Sequence, residues 1–363
     1  MAGDVRASQP AKRRSRGLPR LTSMLRHLRP GLRGFLRVMR ANPLTLVGFV
    51  MVVLIVTVAS LVVLLPPIGQ ALVGHPVSIL PYGPNYYPSP CPTRIVTTGN
   101  FSYPTCTLPP STEHLLGTDN LGRDMLSRVM AALPLDLAIG FVVTAFAALL
   151  GGSLGLVAGY WDQPRTIKGA ISVAILRLTD IFLAFPSLVL ALAIAATLGR
   201  GTLPTVLAIL LTWWPYYVRL VRGEVLVVKH QPYVTAAKAA GLSDLRILIR
   251  HVIRNILEPV TVYYTLDVGT VLVTFSTISF IGIGVPLDVP EWGNMVEYYQ
   301  TQNLMGIAPW TILAAGGAIF VTVLAFSLLG DGLRDVLDPR SRRALAQAAV
   351  PTTVAAPAAL GEA

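Results

Sequence analysis

Asp267 is an acid deep in a long apolar run, ten residues beyond Leu257, which is about 15 Å along a helix. A carboxylate that deep among apolar residues is costly unless it faces other helices or a water-filled path. Two roles fit it. It can line a path and contact the cationic amine of a passing solute, or it can accept hydrogen bonds that tie one helix to the next. Other reactive groups are sparse. His27, His75, His114, His230 and His251 show no metal-ligand spacing. Cys91 and Cys106 have no base paired with them in the sequence, so they suggest no nucleophilic site. Of the four lysines, Lys12, Lys168, Lys229 and Lys238, none follows a glycine. That excludes a Gly-Lys-[Ser/Thr] phosphate loop, and with it nucleotide chemistry of that kind in this chain. No bound cofactor or metal is expected.

The second informative constellation lies in the polar segment 219–256. Tyr233–Ala240 predicts a short helix carrying Thr235 and a small-residue face of Ala236, Ala237 and Ala240. Gly241 is placed to stop it, and Ser243 to cap a second helix that opens with Asp244 and Arg246. Leu245, Leu248, Ile249, Val252, Ile253 and Ile256 form a stripe on that helix, opposite Arg246, Arg250 and Arg254. A small-faced helix allows close approach of a partner, and the second helix would pass any movement into the apolar run containing Asp267.

The elements that must position these groups belong to a membrane protein. Only 13% of the residues are charged, 53% are hydrophobic, and the mean hydropathy is +0.62. The apolar residues fall in blocks long enough to cross ~30 Å of hydrocarbon. Six spans are expected: Leu44–Leu65, Leu133–Tyr160, Ala170–Leu198, Leu203–Val218, Leu257–Val285 and Ala308–Leu329. The fourth is the shortest, with Trp213, Trp214, Tyr216 and Tyr217 at one end in the manner of a headgroup-level belt. Asp136 begins the second span, where it can reach headgroups. Arg177 and Asp180 are spaced to pair on one helix face. Gly151, Gly152, Gly155, Gly282 and Gly284 read as close-packing positions.

Charge sets the orientation. The net charge is +11, and residues 1–43 hold eleven Lys/Arg against one acid. This basic tail, with an interfacial helix at Leu32, Phe35, Leu36 and Met39, fits a membrane-lipid surface and not nucleic acid. With the N-terminus inside, 24 Lys/Arg fall in segments 1–43, 161–169, 219–256 and 330–363, and four fall in the exterior segments. The positive-inside rule therefore puts both termini in the cytoplasm. The expected organisation is a tail 1–43, a first span 44–65, an exterior loop 66–132, a five-span core 133–330 containing the loop 219–256, and a C-terminal tail 331–363. Cys91 and Cys106 lie in the exterior loop, an oxidising compartment, where a disulfide is favoured over two thiols that never meet.

The loop pattern Ala236-Ala237, three residues, Gly241 resembles the "EAA" loop of ABC importer permeases, although Thr235 stands where the glutamate would be and Arg254 where a proline is expected. Further segments match in order. They are His114–Arg128 (HLLGTDNLGRDMLSR), Asp180–Pro186 (DIFLAFP), Ser279–Val285 (SFIGIGV) with Pro290–Gly293 (PEWG), and Leu329–Arg340 (LGDGLRDVLDPR). Together with Asn42-Pro43-Leu44, these resemble the second, C-type permease subunit of the dipeptide/oligopeptide/nickel family, from about residue 35 to 343. The Cys91–Cys106 region looks like an insertion relative to that family. The resemblance implies an all-α fold of the type I ABC importer permease kind. It implies that Tyr233, Thr235, Ala236, Ala237, Ala240, Gly241, Ser243, Asp244 and Arg246 form the region that couples to an ATPase. The partners implied are a second permease subunit, two cytoplasmic ATPase subunits that hold Mg-ATP, and an exterior solute-binding protein. Peptides are the leading substrate class, with nickel chelates, glutathione or opines as alternatives. A secondary transporter using Asp267 for coupling, or a membrane scaffold, is the competing reading outside the family.

Overall fold

The computed structural model describes residues 43–73, 75–86, 94–98, 101–163 and 165–337. The basic tail with its interfacial helix, the C-terminal tail beyond 337 and Cys91 lie outside the described residues. The chain is a helical bundle. Its helices are α1 (Pro43–Val73), α2 (Met125–Tyr160), α3 (Ile167–Leu183), α4 (Ser187–Leu198), α5 (Thr202–Lys229) and α6 (Pro232–Ala239). They continue with α7 (Asp244–Phe280), α8 (Trp292–Thr301) and α9 (Pro309–Leu337). Between α1 and α2 a two-stranded antiparallel hairpin, β1 (Arg94–Thr98) with β2 (Phe101–Thr105), departs from the all-α expectation. Its run of Ile, Val, Thr and Tyr favours extended backbone.

Four helices, α1, α2, α7 and α9, are long and apolar enough to cross a membrane, and the bent pair α3–α4 makes five. The expected third span is thus broken. α3 ends at Leu183, Pro186 occupies the N-cap of α4, and the two axes differ by 83°. Pro186 cannot donate to the preceding turn, which ends one helix and allows the next to start at a new angle. The expected fourth span is longer than Leu203–Val218, since α5 runs on to Lys229. It is not among the apolar spans, because Trp213 to Tyr217 and then Arg219, Arg222 and Glu224 lower its hydropathy. α1 also outruns its expected end at Leu65, carrying Pro66 and Pro67 inside it to Val73. Proline's fixed φ is compatible with a helix, and only its missing donor is lost. α2 starts eight residues before Leu133, capped by Asp124, whose carboxylate accepts from the Ser127 amide at 2.8 Å.

Packing is closest between α2 and α5. A methyl group at Gly151 would collide with the Trp214 carbonyl, and one at Gly155 would lie 2.6 Å from the Val218 carbonyl. The two backbones can touch only because these positions have no Cβ. Gly151 and Gly155 are therefore close-packing sites as expected, whereas Gly152 has only Val221 nearby, at 3.8 Å. Leu149, Leu203, Leu313 and Phe320, by contrast, are 64–76% exposed. Large apolar side chains facing outward beside a core of alanines, valines and threonines are what a lipid solvent produces.

Candidate functional site

The segment expected to couple to a partner folds as a helix–turn–helix at the Tyr160 end of α2. α6 starts with Pro232 at its first position, where a missing amide costs nothing. It ends in a Schellman turn: Leu242 N–H donates to Ala237 O at 3.2 Å, Gly241 N–H to Lys238 O at 3.0 Å, and Gly241 adopts φ +78°. Ser243 is the N-cap of α7 by backbone position, yet its hydroxyl makes no capping bond. The inner side of the hairpin is a small core of Tyr160, Val221, Val225, Val228, Val234, Ile247, Val252 and Ile256. The expected stripe is shifted here. Leu245 and Ile249 are exposed and Ile247 is fully buried, because a π-helical turn over Leu248–Ile253 resets the register between the two stretches.

Asp244 fixes the hairpin to the bundle. Its carboxylate accepts from the Tyr160 hydroxyl at 3.0 Å and pairs with Lys168 at 3.5 Å, so it touches the end of α2 and the start of α3. Lys238 lies over the Tyr160 ring at 5.5 Å, and Lys229 donates to the Gly159 carbonyl at 2.9 Å. The opposite side of α6 is open: Tyr233, Thr235, Ala236 and Ala240 are exposed, as are Gly241 and Arg246, while Ala237 is half-buried. The predicted small-residue face is thus divided, with Ala237 turned toward the core and Ala236 and Ala240 toward the surroundings.

Asp267 is buried and joins two helices. Trp213 Nε1 donates to its Oδ2 at 2.9 Å, and the Tyr217 hydroxyl donates to the same oxygen at 3.0 Å. This overturns the belt reading of the aromatics, since Trp213, Trp214 and Tyr217 are buried in the bundle. An indole N–H and a phenol one turn apart on α5 are what the α7 carboxylate needs, so the pull of that acid exceeds their preference for headgroups. The spacing Trp213…Tyr217 was a legible signal for this, being one helical turn. Asp180 likewise pairs with Arg219 of α5, at 2.9 Å, and not with Arg177. Asp136 does not reach headgroups. It is fully buried and accepts from the Trp292 amide at 3.2 Å, because α2 continues beyond it to Met125 and α8 packs over it.

At the Met125 end the stretch 106–128 makes a polar cap. Arg123 pairs with Asp119 at 2.6 Å, His114 Nδ1 meets Asp124 at 2.9 Å, and Trp310 Nε1 donates to the Thr118 carbonyl at 3.0 Å. Burial holds the Tyr299 phenol beside Asp119 above its ordinary range. Cys106 is disulfide-bonded. No group of three His, Cys, Asp or Glu able to hold a metal ion occurs among the described residues.

Residues 151–343 match the family described as "Binding-protein-dependent transport system inner membrane component". The matched region contains α3 to α9, with the helical hairpin of α6 and α7 and both ends of the Asp267 contact. The chain belongs to this family. Among its relatives is the dipeptide transport system permease protein DppC of Alkalihalophilus pseudofirmus, 39% identical over 64% of this chain and 74% of that one. The glutathione transport system permease protein GsiD of Pectobacterium atrosepticum is 38% identical over 66% of this chain and 77% of its own. The inward-facing MetNI methionine ABC transporter shares the fold, with a TM-score of 0.50 at 16% identity over 59% of this chain. The protein is a multi-pass inner-membrane permease subunit of an ABC importer, and ATP hydrolysis lies in partner subunits.

Proposed function

We propose that this permease carries peptides, as one half of a heterodimeric channel with a second permease, two ATPase subunits and an exterior solute-binding protein. The relatives named for dipeptide and glutathione transport support a short peptide as substrate. The bundle would cross the membrane six times, with α5 as the remaining span and both termini in the cytoplasm. The positive-inside count supports that orientation. The hairpin of α6 and the start of α7 then faces the cytoplasm, and the segment carrying Cys106 faces the exterior.

One observation carries the mechanism: α6 is open on one side and clamped on the other. Its exposed Tyr233, Ala236, Ala240 and Gly241 would seat in a groove of an ATPase subunit, while Asp244 connects it to Tyr160 and Lys168. Because α7 is continuous from Asp244 to Phe280, a push on α6 would reach Asp267 along one helix, interrupted only by the π-helical turn and by Pro259. Asp267 and its two α5 donors would then lie where α5 and α7 move relative to one another, near the path. Proteoliposomes containing the whole importer test the reading. ATP-dependent uptake of a labelled dipeptide, competed by unlabelled di- and tripeptides, is expected. Uptake driven by a proton gradient with no ATPase present would overturn it.

A further inference from the structure

A buried pair of acids lies toward the Met125 end of the bundle, and no step of solute transport described above uses it. Asp136 of α2 is completely buried. Its Oδ2 accepts from the Trp292 amide at 3.2 Å, and its Oδ1 has no hydrogen-bond partner. Next to Trp292 is Glu291, also completely buried and close enough for the two carboxyls to repel one another. Both Glu291 oxygens are already engaged, Oε1 by the Gly293 amide and Oε2 by the Asn294 amide, each at 2.7 Å. The hydroxyls of Ser276 and Ser279 on α7 are buried against Glu291 and close no hydrogen bond of good geometry.

Charge accounting around the pair leaves one group short. α1 carries no ionisable side chain, and on α2 the nearest charged residue is Arg128, two turns away and engaged by the Pro84 carbonyl and Asn85. On α7 the next acid is Asp267, already bound by α5. The exposed Arg200 guanidinium lies near Gly282. Further along α8, Tyr298 and Tyr299 turn toward Asn120 and Asp119, and Glu297 is only half-buried. The charges of α9, Asp331, Arg334 and Asp335, are at its far end from Pro309. Among the described residues none of these groups brings a cation to the pair, and two carboxylates so placed are not stable in so dry a place. Glu291 accepts from amides with both oxygens, as an ionised carboxylate capping a helix does. Asp136 has the vacant oxygen.

We propose that Asp136 binds a proton on Oδ1 at neutral pH, and that the Asp136–Glu291 pair, carrying a single negative charge, is the latch that holds α8 across the Met125 end of α2 and the Phe280 end of α7. The proton comes from solvent and returns to it. With the proton present the pair carries one charge; without it, two charges repel inside the latch and α8 loosens. Burial pushes the Glu291 carboxyl up, with the Asn294 and Gly293 amides opposing that rise. The sign follows. A proton held in the folded state above the pH at which the unfolded chain releases it stabilises less as pH rises.

The test compares the wild-type permease with Asp136→Asn in lipid nanodiscs, with melting midpoints measured from pH 6 to pH 10 in sodium-containing and sodium-free buffer. Asparagine copies the protonated acid in shape and donor. The wild type is expected to lose about 3 °C or more above neutrality, Asp136→Asn to keep its midpoint there, and sodium to change neither. Infrared spectra of the wild type at pH 7.5 should contain a protonated-carboxyl carbonyl stretch that the variant lacks, and the wild-type band can be read even if the variant does not fold. Absence of that band would overturn the proposal. So would an Asp136→Asn permease that melts below the wild type at pH 7. A sodium-dependent rise in the wild-type midpoint, lost in the variant, would equally overturn it, because the pair would then hold a cation.

Discussion

At the scale of single residues, the structure turns a choice about Asp267 into geometry. Removing its side chain leaves the Trp213 indole N–H and the Tyr217 hydroxyl buried without an acceptor, a cost of about 1–3 kcal/mol for each group. Asp267→Ala should therefore lower the melting midpoint by several degrees. Asp267→Asn keeps an oxygen for both donors and loses only the charge, so it separates structure from transport. If Asp267 serves a path for solutes with a free amine, Asp267→Asn should fold normally and raise the half-saturating dipeptide concentration about tenfold. Unchanged uptake kinetics in a folded variant would leave Asp267 with the helix-to-helix role alone. That this acid had to be satisfied inside the bundle was legible from hydropathy. Its partners were not, because Trp and Tyr belong both at interfaces and beside buried acids, and only the α5–α7 register tells them apart.

At the scale of elements, caps and breakers were the best guides and burial the weakest. Gly241 stops α6 where its backbone needs a positive φ, whereas Pro186 breaks a block that hydropathy alone gives as one span. The stripe on the start of α7 was misplaced because a π-helical turn adds a residue to one turn, which no periodicity of 3.6 anticipates. The pairing of Asp180 with Arg219 in place of Arg177 shows the same limit: sequence spacing sees neighbours on one helix and not those on the next. The α2–α5 contact gives a sharp expectation. Gly155→Val would force the Val218 carbonyl and the Val221 side chain away, so the variant should accumulate at well under half the wild-type level in membranes, measured by immunoblot. Gly152→Ala, facing only Val221 at 3.8 Å, should accumulate normally.

At the scale of the whole molecule, the two ends of the bundle are built differently. The Met125 end is tied down by ion pairs within the 106–128 cap and by tryptophan N–H bonds from α8 to α2 and from the start of α9 to the cap. The Tyr160 end holds a hairpin clamped through Asp244 and exposed along α6. This asymmetry suits a permease that receives mechanical work at one end only. The most direct test of that claim is the amount of ATPase retained when the affinity-tagged permease is purified with its importer, for wild type, Tyr233→Ala/Ala236→Asp and Asp244→Ala. The account predicts that Tyr233→Ala/Ala236→Asp folds, keeps the second permease and loses at least nine-tenths of the ATPase, while Asp244→Ala keeps the ATPase but loses dipeptide-stimulated hydrolysis. Wild-type ATPase stoichiometry and wild-type stimulation in both variants would contradict it.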